Sequence, residues 1–213
     1  MAKRTQIRIT SLPPPTPDPA DLAKNLIRNF RTQKPNELIV LNLATINEEE
    51  GVLGRTMVFI DFSDDGGIIV GTDRNSRKYR DVMRNPNVAV TFLFVVNVAG
   101  VNVHQQIRIN GLAQECIQSR IDALWEKQPI FDQIRSVVHS QKPASLEEIR
   151  DKYQEMVDKC EGGQLTIPVP DNTTYLEIKP TKFDFYQSAA NNIADCIIYT
   201  KQGDKWAVQQ TFG

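Results

Sequence analysis

Between Ile68 and Pro86 the chain changes conformation twice in quick succession, and the rest of the chain can be read from that stretch. The β-branched run Ile68-Ile69-Val70 ends in Gly71-Thr72, Asp73-Arg74-Asn75 follows, and Ser76-Arg77-Lys78 opens a short segment that Asn85-Pro86 shuts off. The pattern predicts a strand, an N-capped helix and a helix stop. A helix N-terminus exposes N–H groups without intrahelical partners and carries about half a positive charge. Arg77 and Lys78 add two cationic side chains at the same place, so the segment suits a phosphate. The ordinary reading of basic residues on a short helix is a solvated face. Yet cations favour the other end of a helix, where they complement the dipole, and a bound anion would offset this placement.

The remaining composition narrows the classes of function. Lys and Arg number 25 against 26 Asp and Glu, a net charge of −1, so no global positive field attracts nucleic acid. Cys116, Cys160 and Cys196 show no ligand spacing, and an odd number of cysteines fits a reduced, cytoplasmic chain. His104 and His139 stand far apart in no HxxxH arrangement, which argues against a metal site. No apolar run reaches the ~20 residues a membrane span needs, and no signal-peptide core follows Met1. A length of 213 residues suits one domain, taken as 20–213, behind a Pro-rich arm over 1–19 that cannot itself build a core.

Along the chain, Asp18 or Asp21 caps a helix with Leu22, Leu26, Ile27 and Phe30 on one face, ending before Lys34-Pro35. Strands are predicted over 38–45 and 55–62, joined by an Asn47–Gly51 turn, and a Ser63–Gly67 turn leads into Ile68-Ile69-Val70. After the short helix, 88–95 reads as a strand covered on both faces and 105–113 alternates cleanly. Residues 117–161 read as helical, with a capping-box-like Ser145-Leu146-Glu147-Glu148 and a stop at Gly162-Gly163. Two strands, 175–179 and 182–187, and a hairpin over 196–209 complete the chain. The fold class is mainly β (α+β), an antiparallel split β-barrel in which five strands close around one short helix, with helices at the periphery.

The order of strand, Asn-Ser-Arg-Lys helix, Asn-Pro, apolar strand, Gln-Ile-Arg-Ile-x-Gly strand, helical insert, Phe-x-Phe-Tyr-Gln strand and final hairpin resembles the pyridoxamine 5'-phosphate oxidase family of FMN-binding split barrels. The resemblance spans roughly residues 35–213 and implies FMN as cofactor and a homodimer with FMN at the subunit interface. It assigns the FMN phosphate to Ser76, Arg77 and Lys78, with Arg55, the adjacent Thr56, Gly71 and Thr72 also at the cofactor. Gln106 would address the flavin, as would Gln141 from the partner's helical insert, with Tyr186 where the family has a Trp near the ring. On the residues alone, Gln106 and Arg108 also fit the solvent face of an ordinary strand, and Arg55 could pair with the acidic turn at Glu48–Glu50.

Departures from the family pattern cluster on the substrate side. The family's Lys at the end of the second-strand motif is Ile60. Its Tyr, Arg and Ser for the substrate phosphate align with Leu124, Gln128 and Asp132. Its Arg-x-His pair aligns with Asn192-Ile193-Ala194, and a following Arg is Cys196. Lys127 and Arg135 are the cations that a shifted register could bring in. The resemblance therefore implies an FMN-dependent oxidoreductase with a substrate other than pyridoxamine phosphate, for which no catalytic acid–base pair is legible. The alternative is a non-catalytic flavin- or haem-type binding barrel.

Overall fold

The computed structural model describes residues 8–9, 11–140, 145–161, 167–190 and 192–212. Strand β1 (Arg8–Ile9) precedes helix α1 (Pro19–Gln33), whose first turn is fixed by Asp18: its Oδ1 accepts from Ala20 N at 2.9 Å, and Pro19 occupies the position where no N–H is needed. Leu22, Leu26, Ile27 and Phe30 of α1 are all buried, and the Phe30 ring lies 4.7 Å from that of Phe94, joining the helix to the sheet. Strands β2 (Val40–Asn47), β3 (Gly51–Phe62) and β4 (Ile68–Asp73) form the expected meander. The Asn47 side chain organises its first turn, with Oδ1 accepting from the N–H groups of Glu49 and Glu50.

Helix α2 (Arg77–Arg84) follows, and then β5 (Asn87–Val98) and β6 (Val101–Glu115) form a long hairpin. Its two-residue turn, Ala99-Gly100, has positive φ at both positions, 50° and 83°, the geometry that matches strand twist in a tight hairpin. The helical insert consists of α3 (Gln118–Glu126), α4 (Ile130–Ser140) and α5 (Leu146–Glu161). It has a small core of its own around Trp125, Ile134 and Val138, and Trp125 Nε1 donates to Ile167 O at 2.9 Å. Glu148 N donates to Ser145 Oγ at 3.1 Å, half of the expected capping box. The predicted Gly162-Gly163 stop lies outside the described residues.

The last segment is β7 (Thr173–Ser188), the short β8 (Asn192–Ile193), and the hairpin β9 (Asp195–Gln202) with β10 (Lys205–Phe212). Pairing runs β10-β9-β7-β4-β3-β2-β5-β6, and a further β6–β7 ladder closes β7, β4, β3, β2, β5 and β6 into a ring. Two expectations change here. The strands expected over 175–179 and 182–187 are one strand, and the ring that it completes has six strands, not five. Pro180 does not break it because it sits opposite Gly111, where the β6–β7 register shifts. A Cβ at Gly111 would lie 2.5 Å from Lys179 O, so this close backbone approach needs glycine.

Residues 11–16 of the N-terminal arm are docked on the barrel of their own chain. Leu12 N donates to Asp195 Oδ2 at 2.8 Å, Gln187 Nε2 donates to Ser11 O at 2.9 Å, and Thr16 N donates to the Tyr199 hydroxyl at 2.9 Å. Leu12, only 6% exposed, joins the main core, so a segment that cannot itself build a core still contributes one side chain to it. That core fills the ring with Leu41, Leu43, Val90, Phe92, Ile107 and Ile178. Among the described residues, no helix is long and apolar enough to cross a membrane.

Candidate functional site

The predicted strand-to-helix junction forms as read. Ser76 is the N-cap of α2, extended at φ −74° and ψ 153°; its Oγ accepts from Tyr79 N and lies 3.0 Å from Thr72 Oγ1. Ser76 N donates to Asp73 O at 2.9 Å, which folds the loop back on the end of β4. No acidic residue occupies the first turn of α2. The first turn of α2 therefore carries Arg77 and Lys78 with no acidic side chain of its own, a placement that suits an anion.

Arg55 joins this cluster from β3. Its Nη1 donates to Leu43 O at 3.1 Å and to Thr45 Oγ1 at 2.8 Å, and its Nη2 lies 3.8 Å from Asp81 Oδ2. Asp81 lies on the buried face of α2 and accepts from Thr45 Oγ1 at 2.9 Å and Asn47 Nδ2 at 2.8 Å. The carboxylate thus holds Arg55 in one position and neutralises it from below. Sequence reasoning did not find Asp81, Thr45 or Asn47 as supports of the site. Arg55 also does not pair with the acidic turn: Arg77 takes Glu50 at 2.8 Å and Arg84 takes Glu48 at 3.4 Å. Those two pairs are solvent-exposed and contribute little to stability.

Two of the cations in the cluster are held below their ordinary ranges. Burial pulls the Lys78 ammonium below the ordinary lysine range and Arg55 pulls it further, with Asp73 opposing. Burial likewise lowers Arg55, where Asp81 opposes and Arg77 adds to the depression. Among the described residues none forms a salt bridge with Lys78. Burial and a neighbouring cation thus disfavour the charged forms of Lys78 and Arg55, and a phosphate would favour both.

A cavity of about 340 Å³ adjoins this cluster, with Thr56 and Ile60 of β3, Gly71 and Thr72 of β4, and Gln128 and Arg135 of the insert in its walls. Thr56, Gly71 and Thr72, expected at the cofactor, are therefore brought together and sit beside Ser76. Of the residues aligned with the family's substrate-phosphate contacts, Leu124 packs in an apolar cluster with Ile69 and Tyr175, and Gln128 lines the cavity. Asp132 is ion-paired with Arg135 at 2.8 Å.

Gln106 and Tyr186 form a second group. They are direct register partners on β6 and β7, and Tyr186 pairs in turn with Cys196 of β9. The Arg108 guanidinium lies 5.2 Å from the Tyr186 ring centroid and donates to Asp184 Oδ1 at 2.9 Å, with Cys196 Sγ 3.3 Å from the same oxygen. Burial first, and then Asp184, pushes the Cys196 thiol up, so it is not a ready nucleophile. Arg108, which sequence reading left as a possible solvent-facing residue, is the cation that accompanies Tyr186 where the aligned Arg has become Cys196. Within the chain, no hydrogen bond or ion pair among the described residues joins this group to Ser76–Lys78. Gln141 lies outside the described residues.

The comparisons agree with this architecture. The profile of the family described as pyridoxamine 5'-phosphate oxidase matches residues 29–187. The pyridoxine/pyridoxamine 5'-phosphate oxidase 2 of Hydrogenovibrio crunogenus is 27% identical over 179 residues, covering 83% of this chain and 78% of that protein. The pyridoxine/pyridoxamine 5'-phosphate oxidase of Shewanella halifaxensis is 25% identical over 191 residues, covering 89% and 86% respectively. Among solved structures, PhzG from Burkholderia lata in complex with tetrahydrophenazine-1-carboxylic acid superposes with a TM-score of 0.79 at 22% identity, covering 96% of this chain and 99% of that one. A pyridoxamine 5'-phosphate oxidase-related, FMN-binding protein from Nostoc punctiforme gives 0.66 at 16% identity, covering 90% and 95%. With its profile match running from α1 to the end of the ring-closing strand, this chain belongs to the pyridoxamine 5'-phosphate oxidase family.

Proposed function

We propose that the protein is an FMN-dependent oxidoreductase whose substrate is not pyridoxamine phosphate. The observation that carries the cofactor reading is the convergence of Arg55, Arg77 and Lys78 on the capped N-terminus of α2, where two of the three are partly desolvated. That donor set fits a phosphate dianion: fixed guanidinium from Arg55, mobile charge from Lys78, and N–H groups behind Ser76. Thr56, Gly71 and Thr72 would flank the rest of the cofactor in the adjoining cavity. Bound FMN supplies the hydride or electron chemistry, and the chain supplies position and charge.

Lys78 gives the reading a pH signature. Its ammonium is held below the ordinary lysine range in the free protein, and a phosphate favours the charged form. Binding is therefore strongest while Lys78 is protonated and weakens as pH rises through its depressed pKa. Titrating FMN between pH 7 and 10 should show affinity falling with pH in the native protein and a flatter profile in Lys78→Arg, whose guanidinium stays charged. Identical profiles in the two proteins would remove Lys78 from the phosphate site.

The homodimer belongs to the same proposal. Among the described residues no hydrogen bond or ion pair joins Gln106 and Tyr186 to the phosphate cluster of the same chain, and a second subunit would supply the other half of a site that uses both groups. The outward face that carries Gln106 continues through Leu93 and Val95 of β5, while Val40 and Val58 pair on β2 and β3; these apolar side chains are 59%, 44%, 41% and 38% exposed. A second copy would cover them. Light scattering at low micromolar concentration should give twice the chain mass of 24.1 kDa; a monomer that still holds FMN would refute the shared site.

A further inference from the structure

The last residue of β6, Glu115, presents a carboxylate to donors from three different parts of the chain. Its Oε1 accepts from Arg74 Nε and from Thr174 Oγ1, each at 2.7 Å, and its Oε2 accepts from the Tyr79 hydroxyl at 2.6 Å. Arg74 stands in the loop ahead of the α2 N-cap, Tyr79 in the turn behind it, and Thr174 on β7. One side chain on the barrel thus holds the chain on both sides of Ser76, Arg77 and Lys78. Tyr79 N also donates to Ser76 Oγ, so fixing Tyr79 fixes the cap. Arg74 is tied a second time, its N donating to Asn172 O at 2.7 Å and its Nη1 to Asp171 O. Packing alone does not place this turn, because the buried residues of α2, Asp81 and Val82, lie in its second half.

The charges suit the task. Burial works against the Glu115 carboxylate, but bonds from Tyr79, Thr174 and Arg74 outweigh it and hold the group below its ordinary range, so it is ionised at neutral pH. The bond to Glu115, and then burial, push the Tyr79 phenol up, so it keeps its proton and donates. A carboxylate near an anion site would ordinarily oppose the ligand, and the Arg74 guanidinium at 2.7 Å offsets that charge.

We propose that Glu115 is the positioning residue of the anion site, setting the N-terminal turn of α2 through Arg74 and Tyr79 so that its N–H groups and Lys78 are in place before a phosphate arrives. A turn ordered in advance spares the ligand the cost of ordering it, which raises affinity without any contact between Glu115 and the ligand. The inference rests on the FMN reading for the identity of the anion, and not for the clamp.

The test compares FMN with riboflavin, which has the same ring and no phosphate, on the full-length chain. Glu115→Ala should weaken FMN roughly tenfold and leave riboflavin within about twofold of the native protein. Glu115→Gln should fall between the two, since its Oε1 can still accept from Arg74 and Thr174 while its amide donates to Tyr79. Tyr79→Phe keeps the ring and its packing and loses one bond, so it carries the test where Glu115→Ala does not fold. Hydrogen exchange in FMN-free protein supplies a readout that needs no flavin. The amides of Arg74, Ser76, Tyr79 and Arg80, all bonded in this junction, should exchange faster in Glu115→Ala and Tyr79→Phe while the rest of the barrel is unchanged. Unchanged FMN affinity, equal losses of FMN and riboflavin, or unchanged exchange at those amides would each overturn the assignment. Faster exchange there, in a protein whose native form holds no FMN, would uphold the clamp and overturn the flavin reading alone.

Discussion

Replacing Arg77 and Lys78 together with alanine is expected to abolish FMN retention while leaving the barrel folded. Each side chain offers the phosphate a charge-assisted bond of roughly 1.5–3 kcal/mol, so the pair amounts to ~3–6 kcal/mol, or about two to four powers of ten in Kd. The cost to the fold is small by comparison. Arg77 gives up only its exposed pair with Glu50, worth ~0–1 kcal/mol. Lys78 gives up a charge that burial and Arg55 already disfavour, so the free protein should be as stable or more so. Arg55 stays in place, because its contacts run to Leu43, Thr45 and Asp81 and not to α2's first turn. Equilibrium dialysis with FMN, with circular dichroism as the fold control, checks the result; affinity within about threefold of the native protein would sink the phosphate assignment.

The sequence made the α2 junction legible because every determinant there is local. Thr72, Ser76 and the Asn85-Pro86 stop act within a few residues of one another, and the structure returns the strand, cap and helix end in place. What lies under that junction was not legible. Asp81 stands four residues after Arg77, a spacing that reads as a surface ion pair, yet its partners Thr45, Asn47 and Arg55 come from β2 and β3, and it is buried. Closure of the barrel was half legible for a related reason. Pro180 reads as punctuation between two strands, but it is harmless opposite Gly111, and only the pairing of β6 with β7, dozens of residues apart, reveals this. Leu12 escaped for the converse reason: the prolines beside it set the local conformation, while Asp195, Gln187 and Tyr199 decide where the segment lies. Composition and periodicity report on neighbours in sequence, and the supports of this site are neighbours in space.

With FMN supplied, the protein is expected not to convert pyridoxamine or pyridoxine phosphate to pyridoxal phosphate at a useful rate. A dianionic substrate phosphate needs cations, and the positions aligned with the family's contacts carry Ile60, Leu124, Gln128 and Asp132. In the fold, Leu124 is core packing and Gln128 turns an acceptor oxygen inward. The nearest compensation is Arg135, which does reach the cavity wall. Its ion pair with Asp132 at 2.8 Å is solvent-exposed and holds it only weakly, but the Asp132 carboxylate stays beside any phosphate that Arg135 would bind and opposes it. Two missing charge-assisted contacts, at roughly 1.5–3 kcal/mol each, already weaken binding by about two to four powers of ten. Poor alignment over the flavin subtracts from the several kcal/mol that positioning contributes to turnover. An assay of pyridoxal phosphate formation beside a working family member decides the matter, and comparable turnover would show that Arg135 has taken over as phosphate anchor. The Asp132→Asn variant sharpens the result, since removing the carboxylate frees Arg135: a rise in turnover there, from a negligible native rate, would locate the block at this ion pair.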